Sequence, residues 1–250
     1  MTLMDLSGVS FAYTGGKTVL HDVDLKLETG SNLGIVGESG SGKTTLLKLL
    51  LGLQRASSGN VSFRGEPLDI RNRNFMRNFR RSVQAVFQDP YSSLDPRQRV
   101  FDIIAEPLRS LKVQTDIAQA VAQALASVDL PTDAVRRYPH EFSGGQRQRI
   151  AIARAIVSRP DLIIADEVVS ALDLTTRARI IDLMRSLSEQ TTFVVVSHDI
   201  ALVALLCEQL IVLEKGVIVE QGKTRDILAD PQHTYTRKLL TSLPRMPQPV

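Results

Sequence analysis

The chain has 250 residues, of which 43% are hydrophobic and 23% are charged, and its formal net charge is +3. This composition is ordinary for a soluble globular protein, and the length suffices to bury a core without disulfides or metals. The near balance of 30 basic and 27 acidic residues argues against a nucleic-acid-binding domain, which concentrates a strong basic excess on one face.

The cysteine content and the apolar stretches limit the compartment and the topology. Cys207 is the only cysteine, which excludes an intrachain disulfide and a cysteine-ligated zinc or iron–sulfur site and fits a reducing cytosol. Its place in the apolar stretch Ile200–Cys207 predicts a buried, inert thiol. No stretch reaches the roughly 18 apolar residues of a membrane span, and we expect no signal peptide.

The first third of the chain changes from strand-like alternation to a helical pattern. Apolar residues at every second position around Val9 and around Val23 predict half-buried strands. Leu33–Val36 is a short apolar strand that leads into a glycine-rich loop. Thr44–Leu53 then carries apolar residues at helical spacing, which predicts a helix.

The middle of the chain, residues 89–159, is mostly helical in pattern. Ala118–Val128 is rich in good helix formers, and a second helix is predicted from about Gly145 to Ser158. Ser143 is placed to cap the start of this helix, and Pro160 is placed to stop it. We interpret this stretch as a helical subdomain inserted between strands.

Strands return in the last third of the chain. Leu162–Ala165 and Thr192–Val196 are continuous apolar runs typical of parallel strands covered on both faces, and Thr175–Glu189 between them predicts a crossover helix. Leu210–Leu213 and Val217–Val219 predict a hairpin. The predicted architecture is α/β, with a mostly parallel core sheet, an antiparallel β subdomain and an inserted helical subdomain.

The glycine-rich loop fits the pattern G-x-x-x-x-G-K-[ST]. Gly40 and Gly42 allow backbone conformations that turn N–H groups toward phosphate oxygens, and the following helix adds its positive dipole end. Lys43 can reach the outer phosphates, and the Thr44 hydroxyl can ligate Mg²⁺. The alternative is a glycine-rich turn with an exposed lysine. The predicted nucleotide-binding residues here are Gly37, Glu38, Ser39, Gly40, Ser41, Gly42, Lys43, Thr44 and Thr45.

Polar side chains follow the ends of three predicted strands. Asp166 would complete Mg²⁺ coordination, while Glu167 could orient or deprotonate the attacking water. Gln88 could meet the metal or the water, and His198 could touch the γ-phosphate, since ligands bind beyond the carboxyl ends of such strands. The alternatives are that the two acids cap a loop or helix and that the histidine is structural.

The segment Phe142–Gln146 resembles the signature motif of ABC ATPases, usually written LSGGQ, with Phe in place of the usual Leu. Other motifs of that family match in order over nearly the whole chain. They are Tyr13 as the aromatic that stacks on adenine, Gly37–Thr44, Gln88, Ser143–Gln146, Asp166-Glu167, Ser170-Ala171-Leu172-Asp173 as the D-loop, and His198 as the switch histidine.

The resemblance implies a P-loop NTPase of the ABC cassette type that works as a dimer. Two cassettes would associate head to tail and share each ATP with its Mg²⁺ between the phosphate loop of one and the signature of the other. Asp173 would contribute to the same nucleotide site. Hydrolysis would let the cassettes part and move the membrane subunits through the helical insert. The signature residues facing the partner's γ-phosphate would be Ser143, Gly144, Gly145 and Gln146.

The resemblance also implies an organisation and a set of partners. Residues 1–250 would form one ATPase domain, with residues 1–88 and 160–225 as nucleotide-binding core, 89–159 as helical signature subdomain and 226–250 as tail. We expect two membrane permease subunits, a second ABC ATPase subunit in a heterodimer or a homodimer, and a solute-binding protein, without nucleic acid. The chain would lie peripherally on the cytoplasmic face of the inner membrane.

Finer motifs are similar to those of peptide and nickel importers. They are Phe87–Pro90, Ser93–Arg97, Tyr138–Glu141 and the tail segment Pro231–Pro244. Val168-Val169 stands where the family usually has Pro-Thr, which resembles the second ATPase of nickel-type importers and bears on D-loop geometry and hydrolysis rate. The cysteine cluster of some peptide-importer ATPases is absent.

These departures make nickel or a metal–metallophore complex the first expected cargo, with dipeptides or oligopeptides as the alternative. The scattered histidines are not interpreted as nickel ligands, since the cargo would not touch this subunit. Two other functions stay open at this point. A non-transport ABC ATPase usually has fused cassettes or long coiled coils, and a P-loop kinase or GTPase would leave the signature without a purpose.

Overall fold

The structure is a computed structural model that describes residues 1–170 and 172–241. Ala171 of the predicted D-loop and residues 242–250 of the predicted tail lie outside the described residues. Two β-sheets, one of four strands and one of six, organise the described part of the chain. No helix within it combines the length and apolarity that crossing a membrane needs.

The four-stranded sheet is antiparallel and has the order β2-β1-β4-β5. Along its second strand, Val23, Leu25 and Leu27 are buried, and the residues between them are exposed. The predicted alternation is therefore confirmed, because only one face of this sheet packs on the core. Its strands are β1 (Thr2–Ala12), β2 (Thr18–Glu28), β4 (Ser58–Phe63) and β5 (Glu66–Pro67).

The six-stranded sheet has the order β10-β9-β3-β8-β7-β6, in which only β10 is antiparallel to its neighbour. Alternate residues of its strands face two different core clusters, so both faces are covered. The mostly parallel sheet and its terminal hairpin are confirmed. The strands are β3 (Leu33–Val36), β6 (Val83–Val86), β7 (Leu162–Asp166), β8 (Thr192–Ser197), β9 (Gln209–Glu214) and β10 (Val217–Lys223).

Four of the ten described α-helices, α3 to α6, lie between β6 and β7 in the chain and form the predicted helical insert. Two 3₁₀ turns, Thr132–Arg136 and Pro139–Glu141, precede the last of them. The helices are α1 (Lys43–Leu50), α2 (Arg73–Ser82), α3 (Pro90–Ser93), α4 (Val100–Ser110), α5 (Ile117–Ser127), α6 (Gly144–Ile156), α7 (Leu174–Leu187), α8 (Ile200–Leu206), α9 (Thr224–Ala229) and α10 (Thr234–Thr241).

Several helices differ from the sequence-based expectation. The predicted end of α1 at Leu53 is wrong: Gly52 adopts φ 62° and its N–H bonds to Leu49 O, which ends the helix in a left-handed turn. The apolar stretch before Cys207 is a helix, α8, whose first turn is capped by the Asp199 side chain. Cys207 is buried as predicted, and burial raises the pKa of its thiol.

At Gly34, in the middle of β3, the core sheet and α8 approach each other closely. A Cβ built there would lie 2.0 Å from Val203 Cγ1. We expect Gly34→Ala to lower the free energy of unfolding by about 1–3 kcal/mol through overpacking, measured by urea denaturation. Val203→Ala in the same chain makes room, so the double variant should lose less than the two single variants together. An unchanged stability of Gly34→Ala would contradict this packing.

Candidate nucleotide site

The predicted phosphate loop runs from the end of β3 to the start of α1. Gly40 and Gly42 have φ values of 80° and 109°, a region that disfavours side chains with a Cβ. Gly42 immediately precedes α1, so the loop ends at the N-terminus of a helix. The structure therefore confirms the strand–loop–helix context on which the prediction depends.

Lys43 is curled into this loop. Its Nζ donates to Gly37 O at 2.6 Å and to Glu38 O at 2.9 Å. Burial lowers the pKa of the ammonium, and the nearby carboxylates of Glu167 and Asp166 oppose that shift. The alternative of an exposed lysine is wrong, since Lys43 is only 9% exposed.

The hydroxyl groups around the loop differ in their surroundings. Ser41 Oγ is buried, and no partner for it exists among the described residues. Thr44 is exposed, whereas Thr45 is buried and its Oγ1 lies 3.3 Å from the Tyr13 hydroxyl. The Tyr13 ring, 42% exposed, packs edge-on against Phe11. The structure thus brings the predicted adenine-stacking residue beside the loop, and the unpaired Ser41 hydroxyl suits a phosphate oxygen.

Glu167 lies at the centre of the predicted catalytic residues. Gln88 Nε2 donates to Glu167 Oε2 at 3.0 Å, and His198 Nδ1 lies 3.1 Å from Glu167 Oε1. Glu167 itself adopts φ 46°, and its N–H bonds to Val196 O on the neighbouring strand. Both oxygens of one carboxylate are therefore held by side chains that follow β6 and β8, the two strands on either side of β7.

Asp166 is the last residue of β7 and faces the phosphate loop. Burial, and secondly the charge of Glu167, raises the pKa of Asp166, while the charge of Lys43 opposes the rise. A cation would reverse this preference by stabilising the ionised carboxylate. The oxygens of Asp166, Thr44 and the Gln88 amide are hard donors of the kind that Mg²⁺ binds, together with phosphate oxygens.

The signature segment forms the N-terminus of α6. Ser143 Oγ accepts the Gln146 N–H at 3.3 Å, and the Ser143 N–H donates to Gln146 Oε1 at 3.0 Å, which is a capping box. The predicted N-cap is confirmed. Within residues 1–170 and 172–241, no hydrogen bond or ion pair joins this segment to the phosphate loop of the same chain.

The D-loop residue Asp173 caps α7, beside the signature. Its Oδ1 accepts the Thr176 N–H at 3.0 Å, and the hydrogen bonds from Thr176 lower the pKa of the carboxyl. A Cβ at Gly145 would lie 2.3 Å from Thr176 Cγ2. The signature therefore packs closely against the first turn of α7, and a side chain at position 145 would force Thr176 to move.

Sequence reasoning missed one connection near the signature. The Arg147 guanidinium lies 4.2 Å from the centre of the Tyr91 ring, and its Nε donates to Pro139 O. Farther along α6, Arg154 Nη1 donates to Ser93 O. These arginines tie the segment after Gln88 to the signature helix. Their spacing of seven residues on one helix is the signal that could have indicated a shared face.

Comparison with known proteins identifies the family. The model of the ABC transporter family matches residues 20–170. The chain belongs to this family. A second family model, described as the C-terminal region of oligopeptide/dipeptide transporters, matches residues 219–249.

Curated relatives cover most of the chain. It is 40% identical over 242 residues to the oligopeptide transport ATP-binding protein OppF of Lactococcus lactis, spanning 95% of this chain and 76% of that protein. It is 42% identical over 230 residues to a putative peptide import ATP-binding protein of Brucella ovis, spanning 90% and 73%. The chain is thus similar to ATP-binding subunits of transporters.

Solved structures share the fold. A structure of cbiO1 from Clostridium perfringens, part of the ABC transporter complex cbiONQ, has a TM-score of 0.83 at 26% identity and covers 97% of this chain and 96% of its own. The ATP-binding cassette MJ0796 bound to ADP and Pi has a TM-score of 0.79 at 29% identity, covering 89% and 99%. The ABC cassette fold and an ATP-hydrolysing transporter subunit are confirmed, and a P-loop kinase or GTPase is excluded.

The contacts of the Glu167 carboxylate predict that a substitution at this position separates ATP binding from ATP hydrolysis. Glu167→Gln keeps the size of the side chain but removes its charge and its basicity, and only one of its two terminal atoms remains an acceptor. We expect ATP binding to persist and hydrolysis to fall at least about 100-fold, measured by nucleotide binding and phosphate release. Glu189→Gln, the same change at an exposed position of the chain, should leave both unchanged. Wild-type turnover by Glu167→Gln would remove this carboxylate from the mechanism.

Proposed function

We propose that the chain powers uptake of a peptide through membrane permease subunits by hydrolysing ATP at a site shared between two cassettes. The observation that carries the hydrolytic part is the Glu167 carboxylate held between Gln88 and His198 next to the phosphate loop. The support for the cargo is the match of residues 219–249 to the C-terminal region of oligopeptide/dipeptide transporters.

The phosphate loop binds and orients the triphosphate in this proposal. Backbone N–H groups after Gly40 and the start of α1 face its oxygens, and Lys43 and Ser41 add side-chain donors. The Thr44 hydroxyl, Gln88 and Asp166 would hold Mg²⁺, and a bound Mg²⁺ would supply charge neutralisation at the phosphates. Within the described part of the chain, no three His, Cys, Asp or Glu side chains are grouped to hold a metal by themselves, which suits a magnesium ion bound together with nucleotide.

Glu167 acts on the attacking water. Its carboxylate is 20% exposed and therefore close to solvent, yet its orientation is set by Gln88 and His198. Glu167 accepts the proton of the water or aligns it, and the two neighbours keep the carboxylate from rotating away. Gln88 also connects the site to the helical insert, because α3 begins just after it.

A second cassette completes the site. The signature presents the N-terminus of α6, and no polar contact within the described residues directs it to the chain's own phosphate loop. A phosphate from a partner cassette would meet the Ser143 hydroxyl and the N–H groups of Gly144 and Gly145. Because this chain carries both half-sites, a homodimer and a heterodimer with a related ATPase both satisfy the geometry.

The residues that favoured nickel have a packing explanation. Val168 and Val169 are 6% and 3% exposed and belong to the larger core cluster. Their apolar character is accounted for by burial and carries no information on cargo. None of the family models and relatives described above names nickel, so we favour the peptide alternative over the first expectation from the sequence.

The permease would bind in a pocket that is partly apolar and also lined by Arg80, Glu106 and Arg154. Leu53 and Phe87, 54% and 42% exposed, line a pocket of about 380 Å³ together with Pro107 and Leu111 of the helical side. Exposed apolar side chains that line a concave surface are suited to binding a segment of another protein. A permease segment seated here would hold the chain on the cytoplasmic face of the membrane and link its movement to Gln88, and a solute-binding protein would deliver the cargo.

Ser143→Arg tests the shared site. A bulky cation at the signature should block the partner's nucleotide while leaving the phosphate loop of the same chain intact. We expect the isolated subunit to bind ATP with unchanged affinity and the assembled complex to lose hydrolysis. Thr115→Arg, at an exposed position of the same helical insert, is the matched control. Normal hydrolysis by the assembled Ser143→Arg complex would contradict a composite site.

The cargo is tested in vesicles that contain the chain with its permeases and solute-binding protein. We expect ATP-dependent accumulation of a radiolabelled oligopeptide mixture and no ATP-dependent accumulation of ⁶³Ni²⁺, free or chelated. The same complex carrying Glu167→Gln provides the background. Accumulation of nickel without peptide would contradict peptide as the cargo.

A further inference from the structure

The described C-terminal segment reaches back to the phosphate loop. The hydroxyl of Tyr235, on α10, accepts a hydrogen bond from the Glu38 backbone N–H at 2.8 Å. Tyr235 is 7% exposed and belongs to the larger core cluster, and burial raises the pKa of its hydroxyl. A second contact, between Lys238 Nζ and Glu38 Oε1 at 3.5 Å, joins two exposed side chains.

The segment that carries Tyr235 is fixed to the edge of the core sheet. The Glu220 carboxylate, on β10, accepts the N–H of Gln232 at 2.8 Å and the N–H of His233 at 3.1 Å. His233 Nδ1 accepts the Tyr235 N–H at 3.2 Å, and Arg237 donates to the carbonyls of Pro231 and Gln232. The backbone that carries Tyr235 is therefore fixed, and the Tyr235 side chain contacts the phosphate loop from this fixed position.

Two side chains hold the first peptide unit of the loop from opposite directions. The Gly37 carbonyl accepts Lys43 Nζ at 2.6 Å, and the Glu38 N–H of the same peptide donates to Tyr235. These groups point in opposite directions across a planar trans peptide, so the two contacts together fix its rotation. A Cβ at Gly37 would lie 2.3 Å from Leu213 O, which leaves the chain little room on this side.

We propose that Tyr235 is a positioning residue of the nucleotide site, and that the tail serves as a brace for the phosphate loop. Fixing the Gly37–Glu38 peptide sets the direction in which the following N–H groups point, so they meet the phosphates without rearranging. This inference rests on ATP binding at the loop and is independent of the cargo. It assigns a role in nucleotide binding to the segment that resembles the C-terminal region of peptide transporters.

Tyr235→Phe removes the hydroxyl and keeps the buried ring. Loss of one hydrogen bond that orders a binding loop should weaken the affinity of the isolated subunit for MgATP about 3- to 10-fold. The affinity is measured by fluorescence titration with a labelled ATP analogue and by competition with ATP. In the assembled complex, KM for ATP should rise by a similar factor while kcat changes less than about twofold, because uniform binding is lost.

Two control variants test whether the effect on MgATP affinity is specific to the Tyr235 hydroxyl. Tyr138→Phe makes the same change at a ring that contacts Arg99 and His140, and it should leave MgATP affinity unchanged. Lys238→Ala removes only the exposed ion pair and should change the affinity less than twofold. The melting temperature of each variant is measured without nucleotide.

The outcomes are distinct. Weaker MgATP binding by Tyr235→Phe at a wild-type melting temperature supports the brace. Unchanged MgATP affinity overturns it, whether or not the melting temperature falls. An effect of Lys238→Ala as large as that of Tyr235→Phe would assign the contact to the ion pair and overturn the role of the hydroxyl. Absence of MgATP binding by the wild-type chain would instead count against the nucleotide site itself.

Discussion

When both faces of a parallel sheet are covered, polar side chains can act together in one place, at the carboxyl ends of the strands. The strands β3, β6, β7 and β8 run parallel and are largely buried. Whatever follows them emerges at one edge, which is why Gln88, Glu167 and His198 meet although they are far apart in the chain. The close contacts between one carboxylate and two strand ends depend on this burial, since a shift in strand register would separate them.

Two helix N-termini carry the two phosphate-binding surfaces of the proposed shared site. α1 starts within the phosphate loop, and α6 starts at the signature without a polar contact to that loop. At the second site, Ser143 Oγ accepts the Gln146 N–H, but the hydroxyl proton stays available as a donor. In the proposed arrangement, each cassette therefore carries one phosphate-binding loop and one donor surface that would serve a phosphate bound by a partner cassette.

Local patterns predicted the strands, the phosphate loop and the Ser143 cap, because alternation, glycine spacing and capping residues act over a few neighbouring positions. They placed Gln88, Glu167 and His198 at strand ends but could not show that two of them hold the third, which depends on strand order. The contact between Tyr235 and Glu38 spans most of the chain, and no local pattern encodes it. The pair Val168-Val169 carries no cargo information for a related reason: its burial in the larger core cluster, which a local pattern does not reveal, already explains its apolar character.

The charges around the phosphate loop limit how much Lys43 and Asp166 can add to the affinity for nucleotide. Burial disfavours the ionised forms of both Lys43 and Asp166, and each charge partly offsets the penalty of the other. Lys43 Nζ already donates to two carbonyls in the loop, so only one of its three N–H donors is left for a phosphate, and the net gain per bond is small. Affinity must then come from N–H groups that point correctly before the nucleotide arrives. That requirement gives the anchored hydroxyl of Tyr235 its importance: it acts on the only peptide of the loop whose carbonyl and N–H are both known to be held by side chains.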